Sequence, residues 1–254
     1  MPGNTSVARP VGPSMEIEIW SDLICPFCGI GNRRLDTAIS RFAHRDDVTV
    51  MHRSFELAPT APVGEVRPVR AMLRQRYGLS DAQVEASHAR LEAEAAAEGL
   101  VPYVLTENNV GSTALAHELL AYASDQGLAT EAWERLYRAY FGEVRSIFTI
   151  DALVELAAEI GLDAGETRAV LTDRRYRDRV HAEQEVAEEF GAGGVPFIVI
   201  DRRFAIAGAQ PVDVMLATIE RAWQKSQPAL VTVGDGAFGP DGCAGPDSDD
   251  RYRA

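Results

Sequence analysis

Two short strand-bearing segments stand at opposite ends of a long helical stretch, and this split limits what the chain can become. Met15 to Trp20 (MEIEIW) alternates polar and apolar residues and puts Ile17 and Ile19 on one face, which is strand patterning. A turn with Ser21, Asp22 and Pro26 follows, and then Ile30, Leu35, Ile39 and Phe42 recur near helical spacing. Val48 and Val50 mark a second strand, reaching about Phe55. Residues 15–55 therefore read strand–helix–strand, with the two strands parallel.

From about Val69 to Phe190 the pattern is almost entirely helical. The segments 69–77, 81–98, 112–126, 130–142, 151–160, 164–172 and 176–189 are rich in Ala, Leu, Glu and Arg. Gly78, Gly99, Gly127, Gly161 and Gly191 suit helix C-termini, and Ser80, Ser112, Thr130 and Asp163 are the candidate N-caps. No fixed-period repeat is present, which argues against a solenoid. Strand character returns at Val195 to Ile200 (VPFIVI), a continuous apolar run. Asp201–Arg202 reads as a tight turn, Phe204 and Ile206 as the next strand, and Pro211 to about Trp223 as a final helix. The ends, βαβ and ββα, can share one small mixed sheet if the helices between them fold as a lid. The expected fold is thus α/β and thioredoxin-like, with a large inserted all-helical domain. Its expected parts are a flexible lead (1–14), the first core part (15–60), the helical lid (61–190), the second core part (191–227) and a flexible acidic Gly/Pro-rich tail (228–254).

Cys25-Pro26-Phe27-Cys28 sits where the first strand hands over to the first helix. Free backbone N–H groups and the helix dipole stabilise an anion at a helix start. A thiolate is therefore favoured at Cys25, which is expected to titrate below the usual value of about 8.5. Cys28, one turn further in and more buried, is expected to keep its proton longer. With two residues between them its sulfur can reach back to Cys25, and Pro26 stiffens the turn without losing a helical hydrogen bond. Such a pair can cycle between dithiol and disulfide through a mixed disulfide. A structural zinc site wants four ligands, usually two such pairs. No second CxxC exists, the remaining Cys243 lies in the tail, and neither His44 nor His52 has finger spacing. No metal and no tightly held cofactor are expected. Val195-Pro196 is the second site, because a proline opening an otherwise central strand cannot donate to the ladder. A cis bond there would face the Val195 backbone to the cysteine pair and offer it to an extended substrate.

Composition narrows the partners. Thirty-eight acidic against 25 basic residues give a formal charge of −13, which repels phosphate backbones and anionic lipid. Neither nucleic acid nor a membrane is an expected partner, and no apolar run approaches a membrane span of about 18–20 residues. Three cysteines cannot make a disulfide framework, and the first fourteen residues lack the apolar stretch of a secretory signal. A cytoplasmic location follows as an expectation, and a close cysteine pair there points to catalysis.

The chain resembles the DsbA-like thioredoxin family, and within it the FrnE-type disulfide oxidoreductases. The resemblance is carried by WSDLICPFCGIGNRRL (20–35), AYFGEVRSIFTIDALVELAAEIGLD (139–163) and GGVPFIVIDRRFAIAGAQP (193–211). It covers about 15–226. It implies Cys25 as nucleophile, Cys28 as resolving thiol and Pro196 as cis-proline, acting on protein or small thiol and disulfide substrates, with glutathione as a possible redox partner. Val195, Pro26 and Phe27 are the expected substrate contacts. Members of the group can carry a second cysteine pair in the tail. Here Phe238 stands where the partner of Cys243 belongs, which speaks against such a relay. Related glutathione-dependent isomerases and transferases, of the 2-hydroxychromene-2-carboxylate isomerase kind, usually place Ser where Cys25 stands. They form the alternative reading, on a small aromatic or polyketide-like substrate, and a chaperone or binding module is a second alternative. Oligomeric state is not indicated.

Weaker signals take structural readings. Asp22 reads as a turn residue ahead of a proton relay to Cys28, and His117 as a satisfied or surface histidine ahead of one that faces the active-site cleft. Trp133, Leu136, Tyr137 and Tyr140 read as helix packing, and Arg174, Arg175, Arg177 and Arg179 as a solvated face. The Gly29–Gly31 pair lies inside the CPFC helix and is no phosphate cradle.

Overall fold

A computed structural model describes residues 14–226. Strands β1 (Met15–Ser21), β2 (Val48–Ser54), β5 (Phe197–Ile200) and β6 (Phe204–Ala207) form one sheet in the order β2-β1-β5-β6. β1 runs parallel to β2, Ile17 opposite Val50, and antiparallel to β5, Ile17 opposite Ile200. The parallel pair is joined by helix α1 (Pro26–Arg41), as a crossover requires. The β5–β6 hairpin turns through Asp201 and Arg202, both left-handed (φ 48° and 53°), the conformation that matches the twist of the flanking strands.

Alternation along β1 sorts its side chains to two sides. Ile17 and Ile19 pack with Leu35 and Phe42 of α1 and its flank, and with Met215, Ile219 and Trp223 of α9 (Val212–Ser226). Trp20 points the other way, against Phe197 of β5 and against Ala187 and Phe190 at the C-terminal end of α8 (Arg177–Glu189). The same helix closes over the β1–β2 end. The Trp20 indole donates to the Glu183 carbonyl at 2.7 Å, the Ser54 N–H donates to the Glu183 carboxylate at 2.7 Å, and Arg53 bridges Glu18 and Glu183. Helix α8 thus packs on the sheet although it lies within 61–190.

The remaining helices are α2 (Val69–Tyr77), α3 (Asp81–Ala97), α4 (Ala114–Asp125), α5 (Ala129–Tyr137), α6 (Ile150–Glu159) and α7 (Ala164–Thr172). Ser80 and Asp163 cap as their chemistry suggests, Ser80 in a reciprocal box with Gln83. Ser112 and Thr130 do not: α4 starts from Thr113 and α5 from Leu128, neither with a side-chain cap. Among the helices lies a two-stranded antiparallel ladder, β3 (Val66–Pro68) with β4 (Asn109–Gly111), which the helical patterning concealed. Three residues per strand are too few to show a period of two.

The insert has its own apolar core, built from Leu115, Leu119, Trp133, Leu136, Phe141, Leu153 and their neighbours. Leu23 and Ile30, which flank the cysteine pair, belong to this cluster and not to the core under the sheet. Ile30 therefore joins α1 to the lid. Ile30→Ala is expected to lower unfolding free energy by about 2–4 kcal/mol, measured by urea denaturation. A loss below about 1 kcal/mol would mean that the lid collapses onto the space.

Candidate active site

Cys25 is the N-cap of α1, with extended backbone (φ −82°, ψ 113°), and Pro26 fills the first helical position. The turn is closed by the Cys25 N–H donating to Asp22 (3.1 Å) and the Cys28 N–H donating to Cys25 (3.0 Å). Both thiols are free. Cys25 is 5% exposed and Cys28 fully buried, while Phe27 between them stands proud at 43%. Burial pushes the Cys28 thiol well up, and the adjacent Cys25 sulfur pushes it further. The Cys25 thiol donates to the Val195 carbonyl at 3.5 Å across 170 residues of sequence. The Val195–Pro196 bond is cis, as is Val101–Pro102 in the insert. The Pro196 carbonyl accepts from the Gly208 N–H at 2.9 Å, which ties this loop to the end of β6. Cys25, Cys28, Val195 and Pro196 thus meet, with Pro26 half-buried and Phe27 exposed beside them.

Gly29 and Gly31 emerge as residues of the site. Inside a helix each glycine costs about 1 kcal/mol against alanine. Two of them with a single residue between, Gly29 and Gly31, signal a close approach of other groups to the helix. A Cβ on Gly31 would lie 2.7 Å from the Pro196 ring, and one on Gly29 would lie 2.6 Å from the Tyr103 hydroxyl. Tyr103 in turn donates to the Pro26 carbonyl at 2.6 Å. Burial, with the two thiols nearby, keeps its phenol protonated. Tyr137 donates to the Asp22 carbonyl at 3.4 Å, and burial keeps it protonated too.

Asp22 does serve the turn, accepting from the Ile24 N–H at 3.4 Å, but it does more. Its other oxygen accepts from the Leu57 N–H at 2.7 Å, and the first lies 3.5 Å from His117 Nε2. His117 is neither at the surface nor satisfied. His117 is fully buried, and neither ring nitrogen has a hydrogen-bond partner among the described residues, the 3.5 Å approach lacking the geometry of one. Of the arginine row, Arg175 and Arg177 are exposed as a solvated face requires, while Arg174 is half-buried on the buried Glu118 and Arg179 half-buried on Asp125.

Two hollows flank the start of α1. A groove of about 640 Å³ runs from Ile24 and Pro26 past Leu57 and Pro62 to β3 and α2. On the other flank a cavity of about 750 Å³ is lined by Gly29, His52, Tyr103, Trp133, Tyr137 and Phe141. Tyr103 stacks on Phe141 at 4.4 Å, and His52 lies tilted against Trp133 at 5.4 Å. Trp133 and Tyr137 therefore line a cavity as well as pack the insert. No group of three or more His, Cys, Asp or Glu side chains among the described residues is placed to hold a metal ion. Cys243 and Phe238 lie outside the described residues, as do the lead up to residue 13 and the tail.

A cysteine pair at the mouth of a crossover helix, facing a proline-opened strand of a mixed sheet, is the arrangement of thioredoxin-fold redox proteins. Residues 16–220 match the family model described as DSBA-like thioredoxin domain, so the chain belongs to the DsbA-like thioredoxin family of thiol–disulfide oxidoreductases. It is similar to a probable DsbA oxidoreductase from Streptomyces coelicolor, with 44% identity and a TM-score of 0.82 over 91% of this chain and 99% of that one. The uncharacterized protein YwbO of Bacillus subtilis (strain 168) is 30% identical over 84% of this chain and 99% of its own length. A 2-hydroxychromene-2-carboxylate isomerase shares the fold at 16% identity, with a TM-score of 0.61 over 83% of this chain and 97% of that one. No helix among the described residues is long and apolar enough to cross a membrane.

Two outcomes follow. Gly31→Ala gains about 1 kcal/mol of helix propensity but loses about 1–3 kcal/mol to overpacking against Pro196, so a net fall in denaturation midpoint is expected. An unchanged or raised midpoint would show that the loop gives way freely. Burial lowers His52 from 6.5 to about 4. Above pH 6.5 it is neutral folded and unfolded; as pH falls from 6.5 toward 4 only the unfolded chain gains the proton, and stability drops. The slope is about 1.4 kcal/mol per pH unit. His52→Gln is expected to flatten it in melting curves taken across that window, and parallel curves would refute the assignment.

Proposed function

We propose that the chain is a cytoplasmic thiol–disulfide oxidoreductase that reduces or isomerises disulfides in proteins or small thiols. The observation that supports this reading is the approach of the Cys25 thiol to the Val195 carbonyl with Cys28 buried directly behind it. In reduction, the Cys25 thiolate attacks one sulfur of a substrate disulfide. A Cys25–substrate disulfide forms, and the other substrate sulfur leaves as a thiolate and takes a proton. Cys28 then loses its proton and attacks the Cys25 sulfur. The second substrate thiol departs, and the Cys25–Cys28 disulfide remains to be reset by an external dithiol or by two molecules of a monothiol such as glutathione. The raised Cys28 thiol suits this order, since a protonated Cys28 does not compete for the first attack. Val195 offers its backbone to an extended substrate beside Pro196, and Pro26 and Phe27 present the apolar surface around the sulfur.

The aromatic cavity on the other flank of α1 favours a second reading, glutathione-dependent isomerisation of a small aromatic substrate. Insulin-disulfide reduction separates the two. Cys25→Ser is expected to lose turnover by at least about a hundredfold, while Cys28→Ser accumulates mixed disulfides through Cys25. Limited iodoacetamide labelling of the wild type should mark Cys25 before Cys28. Glutathione-dependent isomerase activity that survives Cys25→Ser would favour the second reading. Client holding that survives loss of both thiols would favour a chaperone or binding module.

A further inference from the structure

The charge of this chain is unevenly spread. Against 38 acidic and 25 basic residues overall, the stretch 66–80 (VRPVRAMLRQRYGLS) carries four arginines and no acid. The fold sets this stretch against the cysteine turn: Val66, Arg67, Met72, Arg76 and Tyr77 form one wall of the 640 Å³ groove whose other wall holds Ile24 and Pro26. Two of the four arginines are neutralised, Arg70 by Asp81 and Glu85, and Arg74 by Asp81. The two that line the groove are not. Arg67 donates to the neutral Gln75 side chain at 2.8 Å, and the Arg76 guanidinium lies 5.6 Å from the Tyr77 ring centre. Neither pairs with a carboxylate among the described residues, and Glu65 is the only acidic side chain in the lining. The wall is otherwise apolar and outward-facing, with Leu57 and Val66 each more than two-fifths exposed. Exposed apolar surface beside two uncompensated guanidinium groups, next to a reactive thiol, matches a ligand with an apolar stem and carboxylates.

We propose that this groove selects disulfides that carry carboxylates close to the bridging sulfurs, with Arg67 and Arg76 as the specificity-determining residues; the proposal rests on the disulfide-oxidoreductase reading above. The substrate lies from the Cys25 sulfur into the groove, and its carboxylates meet the two guanidinium groups. Guanidinium suits this task because its planar donors match a carboxylate edge to edge and its charge does not titrate. The rest of the acidic surface repels such a ligand, so the attraction is local and fades with ionic strength.

The test uses three matched peptide disulfides with Glu, Gln or Lys flanking each cysteine, and glutathione disulfide beside them as a small carboxylate-bearing disulfide. Reduction by the full chain is measured at low and high salt. The Glu peptide is expected to exceed the Lys peptide in kcat/KM by about tenfold at low salt, the size of two partly exposed ion pairs, and by less at high salt. Arg67→Ala with Arg76→Ala should bring that ratio near one, and Arg221→Ala, an exposed arginine on α9, should leave it in place. Loss of rate confined to glutathione disulfide in the double variant also supports the carboxylate site and assigns it to small thiols. Equal rates for the three peptides, or a ratio the double variant retains, overturns the proposal when that variant also reduces glutathione disulfide as fast as the wild type. A wild type that reduces none of these substrates refutes the oxidoreductase reading instead. Binding of the Glu and Lys peptides to Cys25→Ser, read by fluorescence anisotropy, then decides the groove on its own.

Discussion

The close packing of the first two turns of α1 is the contact on which the rest of the site depends. Gly31 lets the Pro196 ring lie against one side of the helix, and Gly29 lets Tyr103 lie against another. Residues two apart on a helix point roughly 200° away from each other, so the two contacts grip the cysteine turn from opposite sides. The Tyr103 hydroxyl on the Pro26 carbonyl and the Cys25 thiol on the Val195 carbonyl complete the grip. A larger residue at either glycine would lift one partner from the helix, and with it the geometry of the sulfurs.

Burial divides the labour between the sulfurs. Both sit at the helix start, but Cys28 is fully buried while Cys25 keeps a little exposure between Ile24 and Pro26, two residues that line a groove. Around them lie two tyrosines on the lid side whose ionisation burial resists, and beyond Asp22 and His117 lies Glu56, whose carboxyl is pushed up by desolvation. Asp22 and His117 meet within this shell. The cysteine turn is thus flanked on the lid side by phenols that burial keeps protonated.

Much of the fold was legible because it rests on local patterning. The strand–helix–strand opening, its parallel pairing and the closing hairpin all follow from alternation, turn residues and the crossover rule. Helix ends were legible where a glycine or a capping side chain sets them, as at Gly78 and Ser80, and not where α4 and α5 begin without a cap. The β3–β4 ladder and the seating of α8 on the sheet are set by partners far along the chain. In the site, the cysteines and the proline announce themselves by residue type in context. His117 does not, because a lone histidine in a helix looks the same whether it faces water or lies 3.5 Å from a buried Asp22. The aromatic stripe of α5 likewise gave no hint that a turn of π-helix (Arg138–Gly142) would carry Phe141 onto Tyr103.

The Tyr103–Gly29 contact also bears on how such a chain can diverge. Tyr103 of the insert touches α1 through a hydroxyl that fits only above a residue without a side chain. A lineage that altered the lid at Tyr103 would free Gly29 to drift, and one that filled Gly29 would have to shorten Tyr103 first. The two positions, 74 residues apart in the sequence, are therefore sterically coupled. Exchange of whole lids between relatives, by recombination or in the laboratory, will preserve the cysteine turn only when the glycine travels with its tyrosine.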